Sequence, residues 1–349
     1  MHGRPKEQQR SHEIESTALW GDVRQIGRAV ADTLARTAEH DDVAGFLAES
    51  AVRRLVISGN GASYYVGMAV WLASLTGRAM PEVVAIPAGL LSPRTFDWRE
   101  GDRLLIVSSS GELRDLNEAR TDLPIGRYAI ITANPGSSLG QDATAHALLA
   151  IPGQRSMTHT QSYCAALAAG LSIWARMAHD DGLLQDVRTC ALSMEATIDA
   201  AVRWIEELGL VSAPTEATVF GSGGGWAAAL EAALLLKEVA GVPAEGVETR
   251  EGATSAMFAL TSSSLAVSVG HDEDPRLVAA EESCAGRGAS VVRLPDTADH
   301  ITSALSSFPF AVALAIKIAV LAGRDPDQPA WTDAYLAAVR SEAGGGRPS

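Results

Sequence analysis

Ser108-Ser109-Ser110-Gly111 places three hydroxyls and a glycine between a hydrophobic run and a helix-length segment. At a strand-to-helix junction, unpaired N–H groups and the positive end of the helix dipole attract an anion. The hydroxyls can donate to phosphate oxygens, and the glycine lets the backbone come close. A serine-rich helix cap, with Glu112 or Asp115 complementing the dipole, would use the same residues without a ligand. A second loop, Gly59-Asn60-Gly61-Ala62-Ser63, follows the first strand-like run and should bring Ser63 to the same sheet edge. Gly59, Gly61 and Gly67 do not have the dinucleotide-fingerprint spacing, so NAD is not indicated. In the second half, GSGGGW at 221–226 occupies the corresponding point with fewer hydroxyls and suits a backbone cradle.

Three charges, Glu231, Lys237 and Glu238, interrupt the strongly apolar run LEAALLLKEVAG at 230–241. Burial of a charge is costly unless it is paired or functional. Glu231 and Glu238 are seven residues apart and share a helical face, while Lys237 points about 100° away from Glu238. One of these carboxylates is expected to reach a crevice between lobes. His159, in SMTHTQSY just before a helix, is a candidate ligand contact, set against the plainer reading of a hydrogen bonder at a helix start. The histidines are scattered without helpful motif context, so an acyl-transfer triad is unsupported.

Short runs rich in β-branched residues begin at Arg54, Val83, Leu104 and Tyr128, nearly continuous in apolar character as strands covered on both faces should be. Helical spacing is read at 11–37, 43–49, 112–121, 160–177, 183–208 and 310–322, with a further strand within 144–152. The pattern restarts after a linker at 209–218: Val56 corresponds to Thr218, Leu104 to Leu265 and Tyr128 to Ala289, each about 160 residues on. One duplication predicts an α/β protein of two tandem parallel-sheet lobes with one topology, each an αβα sandwich. The expected divisions are N-terminal helices at 1–48, a first lobe at 49–208, a second at 209–340 and a disordered tail at 341–349. Phe308, Phe310, Leu314 and Ile318 are read as packing residues alone.

The chain has 349 residues and a net charge of -14, which excludes a bulk nucleic-acid surface but not a small anion pocket. Cys164, Cys190 and Cys284 suit free thiols in a reducing compartment, and no zinc-ligand spacing is present, so neither a metal nor a cofactor is expected. The polar start MHGRPKEQQRSHEIE lacks a signal-peptide core, and no apolar stretch reads as a membrane span. A cytoplasmic protein with no membrane or nucleic-acid partner is the expectation.

These loops and motifs resemble those of the double sugar-isomerase (SIS) domain family, which includes the isomerase part of glucosamine-6-phosphate synthase and stand-alone glucosamine-6-phosphate deaminases. The resemblance implies two flavodoxin-like lobes, a phosphosugar ligand and a homodimer. No glutaminase segment is read at the N-terminus, so a glutamine-dependent synthase is not expected. The resemblance assigns Ser63, Ser108, Ser109 and Ser110 to the phosphosugar, with Leu113 where the family carries a threonine. It brings Met157 and Thr160 to the ligand, with Gln161 in place of a frequent lysine, and makes NPGSSL at 134–139 a fold marker. LLLKE at 234–238 nominates Glu238 for proton transfer between C1 and C2 of the open-chain sugar. Glu251 stands where the family has a ring-opening histidine that enters the partner's site, and it is the second catalytic candidate. DPDQP at 325–329 also matches, and Ala334 stands where the synthase-type enzymes have a lysine. The implied function is aldose–ketose isomerisation, or deamination or deglycation of an amino-sugar phosphate. The alternative is a non-catalytic phosphosugar sensor or regulatory protein.

Overall fold

The computed structural model describes residues 14–76, 81–92, 95–118, 123, 128–271, 273–296 and 301–333. Three helices, α1 (Ala18–Val23), α2 (Ile26–Leu34) and α3 (Thr37–Leu47), precede the first sheet. The first lobe then runs β1 (Arg54–Gly59), α4 (Ala62–Ser74), β2 (Glu82–Pro87), β3 (Asp102–Val107), α5 (Arg114–Glu118), β4 (Tyr128–Thr132), α6 (Ser138–Asp142) and β5 (Ala145–Leu148). Two long helices follow, α7 (Gln161–Ala178) and α8 (Asp181–Glu207). The second lobe comprises β6 (Glu216–Gly221), α9 (Gly225–Glu238), β7 (Ala244–Glu248), α10 (Thr249–Gly252), β8 (Ser264–Val269), α11 (Pro275–Gly286), β9 (Ser290–Arg293), α12 (Ser303–Ser306) and α13 (Phe308–Leu321).

Both sheets are parallel, with strand orders β2-β1-β3-β4-β5 and β7-β6-β8-β9. The first is the flavodoxin-like order, and the second repeats its first four positions. The duplication extends to register. Arg54 pairs with Asp102 as Glu216 pairs with Ser264, and Ile57 with Leu105 as Val219 with Val267, a shift of 162 residues (54 to 216, 102 to 264). The side chains at the first of these positions diverged in chemistry. Arg54 clasps the buried Asp102 carboxylate through Nε at 3.0 Å, whereas Glu216 accepts from Ser264 Oγ at 2.7 Å.

The strands are apolar throughout because successive side chains enter two different cores. Leu55, Ile57, Leu105 and Val107 face a core shared with α4 and α7, while Val56, Leu104 and Ile106 face a smaller one with Leu116. Val219, Leu265, Val267 and Val269 of the second sheet join that same shared core. Helix α13 is buried on nearly every face, as an all-round apolar helix requires. It is clamped by ring contacts, Tyr163 with Phe308 at 5.1 Å and Trp204 with Phe310 at 5.6 Å between centroids.

Several expected boundaries differ. The helix read over 11–37 is two helices broken at Arg24 and Gln25, where the Arg24 guanidinium turns out to Glu15 and Asp199, and residues 11–13 lie outside the described set. The helix read over 43–49 starts earlier, at Thr37. The helix read over 112–121 is formed at Arg114–Glu118, and 119–121 are outside the described residues, as are Ala334 and the tail at 341–349. The linker read over 209–218 ends sooner, because β6 starts at Glu216. Strand β7 was not anticipated: AEGVE is polar because it forms the sheet edge. Its Gly246 is required by close approach, since a β-carbon there would lie 2.6 Å from the Ala229 carbonyl oxygen of α9.

Because one core serves both sheets, the two lobes should unfold together. Phe308→Ala removes a side chain that is 2% exposed in that core and should cost about 3–5 kcal/mol. Calorimetry should give one transition, shifted as a whole; two transitions with only one displaced would mean that the lobes are independent.

Candidate functional site

The Gly59–Ser63 and Ser108–Gly111 loops leave neighbouring strands, β1 and β3, whose chain connections depart in opposite directions. This is the topological switch point of the first sheet, where open α/β sheets leave a crevice at the carboxyl edge. Ser63 lies in the first turn of α4 and is half-buried. Gly59 is close against it, and a β-carbon on Gly59 would be 2.6 Å from Ser63 Cβ and 2.9 Å from the Val107 carbonyl oxygen.

The serine loop is held by its own hydrogen bonds. The Gly111 N–H donates to Ser108 Oγ at 3.0 Å, and the Glu112 N–H donates to Ser110 Oγ at 3.2 Å. In both bonds the serine oxygen accepts, so the hydroxyl proton stays free to donate to an anion. Ser108 is buried, Ser109 half-buried and Ser110 exposed, an order that runs outward from the strand. Gly111 has φ +68°, and a β-carbon there would overlap Ser137 Oγ of the 134–139 loop. Glu112 turns away and accepts from the Ser138 N–H at 2.8 Å and from Asn117 Nδ2 at 3.0 Å. Asn60 Nδ2 donates to Asp115 at 2.8 Å, which joins the two loops.

A third segment is tied down by a buried carboxylate of α1. Asp22 accepts from the Arg155 N–H at 2.9 and 3.0 Å and from the Ser156 N–H at 2.6 Å. The chain then enters α7 through Met157, half-buried, and Thr160, fully buried. His159 is exposed, with Nδ1 2.9 Å from Ser162 Oγ of its own helix. Here polar atoms are buried without partners: Thr158 Oγ1, Thr160 Oγ1, both amide atoms of Gln161 and the Tyr163 hydroxyl. Such orphans are rare in native proteins and call for a ligand or ordered water.

Packing of the second lobe against the first brings the carboxylates in. Helices α4 and α9 lie antiparallel: Trp71, late in α4, meets Trp226, early in α9, at 6.2 Å between ring centroids. At the other end, Leu234 Cδ2 lies 3.8 Å from where a β-carbon on Gly61 would be. The C-terminal turn of α9, which carries Glu238, is thereby set at the mouth of the first glycine loop. Glu231 is 3% exposed and its Oε2 has no partner. Burial, then the charge of Glu238, holds its carboxyl well above the usual range, with Lys237 opposing. Glu238 is half-buried, and burial pushes it up to about 7, again opposed by Lys237. Tyr65, half-buried in the first turn of α4, lies within electrostatic reach of both carboxyls. Tyr163 and Cys164 are within reach of Glu231. The Glu238 carbonyl accepts from Trp331 Nε1 at 2.9 Å, which ties this turn to the segment after DPDQP.

Glu251 is not brought to Glu238 within one chain. Glu238 ends α9 at the amino edge of the second sheet, and β7 then carries the chain back to the carboxyl edge, where Glu251 lies exposed in α10. It accepts from Ser255 Oγ at 2.9 Å. The glycine loop of the second lobe offers less than that of the first, because Ser222 and Thr249 bond each other at 2.8 Å and are buried. A concavity of about 190 Å³ nearby is lined by Thr249, Arg250 and Arg276, with Arg276 paired to Asp274. Tyr65, Thr158 and Tyr163 were not picked out from the sequence. Two adjacent tyrosines after a glycine loop were the available signal for the first.

No protein-family model matches the chain. Its sequence is 28% identical over 211 residues to the glutamine–fructose-6-phosphate aminotransferase [isomerizing] of Streptococcus pyogenes serotype M1, covering 57% of this chain and 34% of that protein. It is 25% identical over 314 residues to the Zymomonas mobilis enzyme of the same name, covering 80% of this chain and 51% of the relative. The chain thus spans between a third and a half of the length of these relatives. Among solved structures, the C-terminal domain of glucosamine-fructose-6-phosphate aminotransferase from Francisella tularensis superposes with a TM-score of 0.77 at 18% identity, covering 91% of this chain and 99% of that one. Glucosamine-6-phosphate deaminase from Thermotoga maritima gives 0.69 at 18%, covering 85% and 97%. The fold is shared in both cases. Two parallel α/β lobes in register, with a serine loop at the first switch point, are thus the fold that the chain shares with the C-terminal domain of such an aminotransferase, and its sequence is similar to these aminotransferases over as much as 80% of its length.

Proposed function

We propose that the protein binds a sugar phosphate at the switch point of the first lobe and moves a proton between C1 and C2 of its open-chain form, as an isomerase or as a deaminase or deglycase of an amino-sugar phosphate. The observation that carries this reading is the antiparallel packing of α4 on α9, which sets Glu238 beside the loop of Ser63. Ser63 and Ser108–Ser110 are the phosphate donors, and Met157 and Thr160 line the sugar. The names of the aminotransferase and deaminase relatives support a phosphosugar as the ligand class. The protein acts as a homodimer, with the Glu251 turn of one subunit reaching the partner's site, because Glu251 lies too far along its own lobe to serve Glu238.

The chemistry needs a base near neutrality, and burial supplies one. A carboxylate in water is a weak base, whereas one pushed up to about 7 takes and returns a proton with little driving force lost. The raised value means that the carboxylate, the form able to accept the C–H proton, becomes the majority species above about pH 7.

Hexose 6-phosphates should bind more tightly than the matching free sugars in calorimetric titration, and equal affinities would remove the phosphate assignment. Ser110→Ala should weaken phosphosugar binding about tenfold or more, the loss of a hydrogen bond to a charged group, with melting unchanged.

Incubation with glucosamine, fructose, galactosamine and glycated-amine 6-phosphates in deuterated water should place deuterium at C1 or C2 of one of them. Exchange should rise through about pH 7 and vanish in Glu238→Gln while affinity persists. Binding without exchange for every sugar would leave a phosphosugar sensor.

Sedimentation at micromolar concentration should give about twice the monomer mass. A stable monomer with full ligand binding would exclude a role for Glu251 across an interface.

A further inference from the structure

We propose that Tyr65 is a second catalytic residue of this site, a phenol that protonates the carbonyl oxygen of the open-chain sugar while Glu238 takes the proton from the neighbouring carbon. The inference rests on the C1–C2 proton-transfer reading above. A base alone is insufficient for that reaction, because negative charge develops on the carbonyl oxygen and needs a donor aimed at it. The cation whose charge acts on both Glu231 and Glu238 is Lys237, and Lys237 is exposed. The site therefore needs a neutral donor.

Tyr65 fits by position. It stands in the first turn of α4, two residues after Ser63, so the loop proposed to hold the phosphate and the phenol belong to one rigid segment. Its backbone N–H donates to the Gly61 carbonyl at 3.1 Å, which fixes that turn to the loop. The residue is half-buried, and its hydroxyl makes no hydrogen bond to a described residue, which leaves it free for a ligand. The Tyr64 ring, 5.9 Å away, limits where it can swing. Across the lobe boundary lie Glu238, the base, and Glu231 two helical turns earlier on the same face of α9. Burial, then these two carboxyls, keeps the phenol protonated beyond its usual range, so it enters the reaction as the acid.

The step balances without any further reactant. From an aldose, the Glu238 carboxylate takes the C2 proton, the C2–H pair becomes the C1=C2 bond, and the carbonyl π pair moves to O1, which takes the Tyr65 proton. The phenolate then takes the proton of the C2 hydroxyl, that O–H pair forms the C2=O bond, and the C1=C2 pair takes the proton back from Glu238 at C1. Both side chains return to their starting states.

The test compares wild type with Tyr65→Phe, which keeps the ring, on the sugar phosphates that wild type exchanges in deuterated water. Affinity and melting temperature should stay within about twofold and about a degree, while exchange falls about 100-fold, the usual worth of a general acid. Replacing Tyr65 with a fluorotyrosine of lower pKa should move the alkaline limb of the exchange profile to lower pH, a change that a packing role would not produce. Unchanged exchange in Tyr65→Phe, or loss of binding together with exchange, overturns the assignment and leaves the Glu238 reading standing. Absence of exchange by wild type with every sugar removes both.

Discussion

The antiparallel packing of α4 on α9 is the contact on which the rest of this molecule depends. Each helix starts at a glycine loop on the carboxyl edge of its own sheet, so an antiparallel pair sets the start of one against the end of the other. The glycine loop of the first lobe therefore faces the last turn of α9. A parallel pairing would have placed the two glycine loops together and left Glu238 at the far end of the molecule.

That contact also sets the electrostatics. A carboxylate on an exposed helix end would titrate with the solvent and have little use as a base. Here the C-terminal turn of α9 is covered by α4 and by Trp331, and loss of water around Glu238 raises its proton affinity to about neutrality. Glu231, deeper on the same face, is likewise raised by burial and then by the charge of Glu238.

The duplication explains why only one lobe carries a dense set of hydroxyls. Both lobes keep the strand register, and with it a crevice beside the first and third strands. In the first lobe the oxygens of Ser108 and Ser110 accept from the loop backbone, while in the second Ser222 and Thr249 satisfy each other. The second lobe contributes instead through the far end of its first helix. In the site proposed above, one duplicated unit supplies the loop and the other the carboxylate, each from the opposite end of the same supersecondary element.

Local sequence determined the strands, the repeat and both hydroxyl loops, because each depends on neighbours in the chain: β-branched runs buried on two faces, and glycines and serines at a strand end. The seven-residue spacing of Glu231 and Glu238 likewise determined that they share a helical face. Edge strand β7 escaped notice because an edge needs little apolar character, and Gly246 reports close packing with α9 that no local pattern contains. At the break between α1 and α2, Arg24 pairs with Asp199, far along the chain. Tertiary structure alone decided that the end of α9 approaches the first glycine loop, that Glu251 lies at the opposite edge of its lobe from Glu238, and that Tyr65 and Tyr163 lie within electrostatic reach of Glu231. Those facts follow from how two helices from different lobes cross and from how much water the crossing removes, and neither is written in the spacing of residues along one chain.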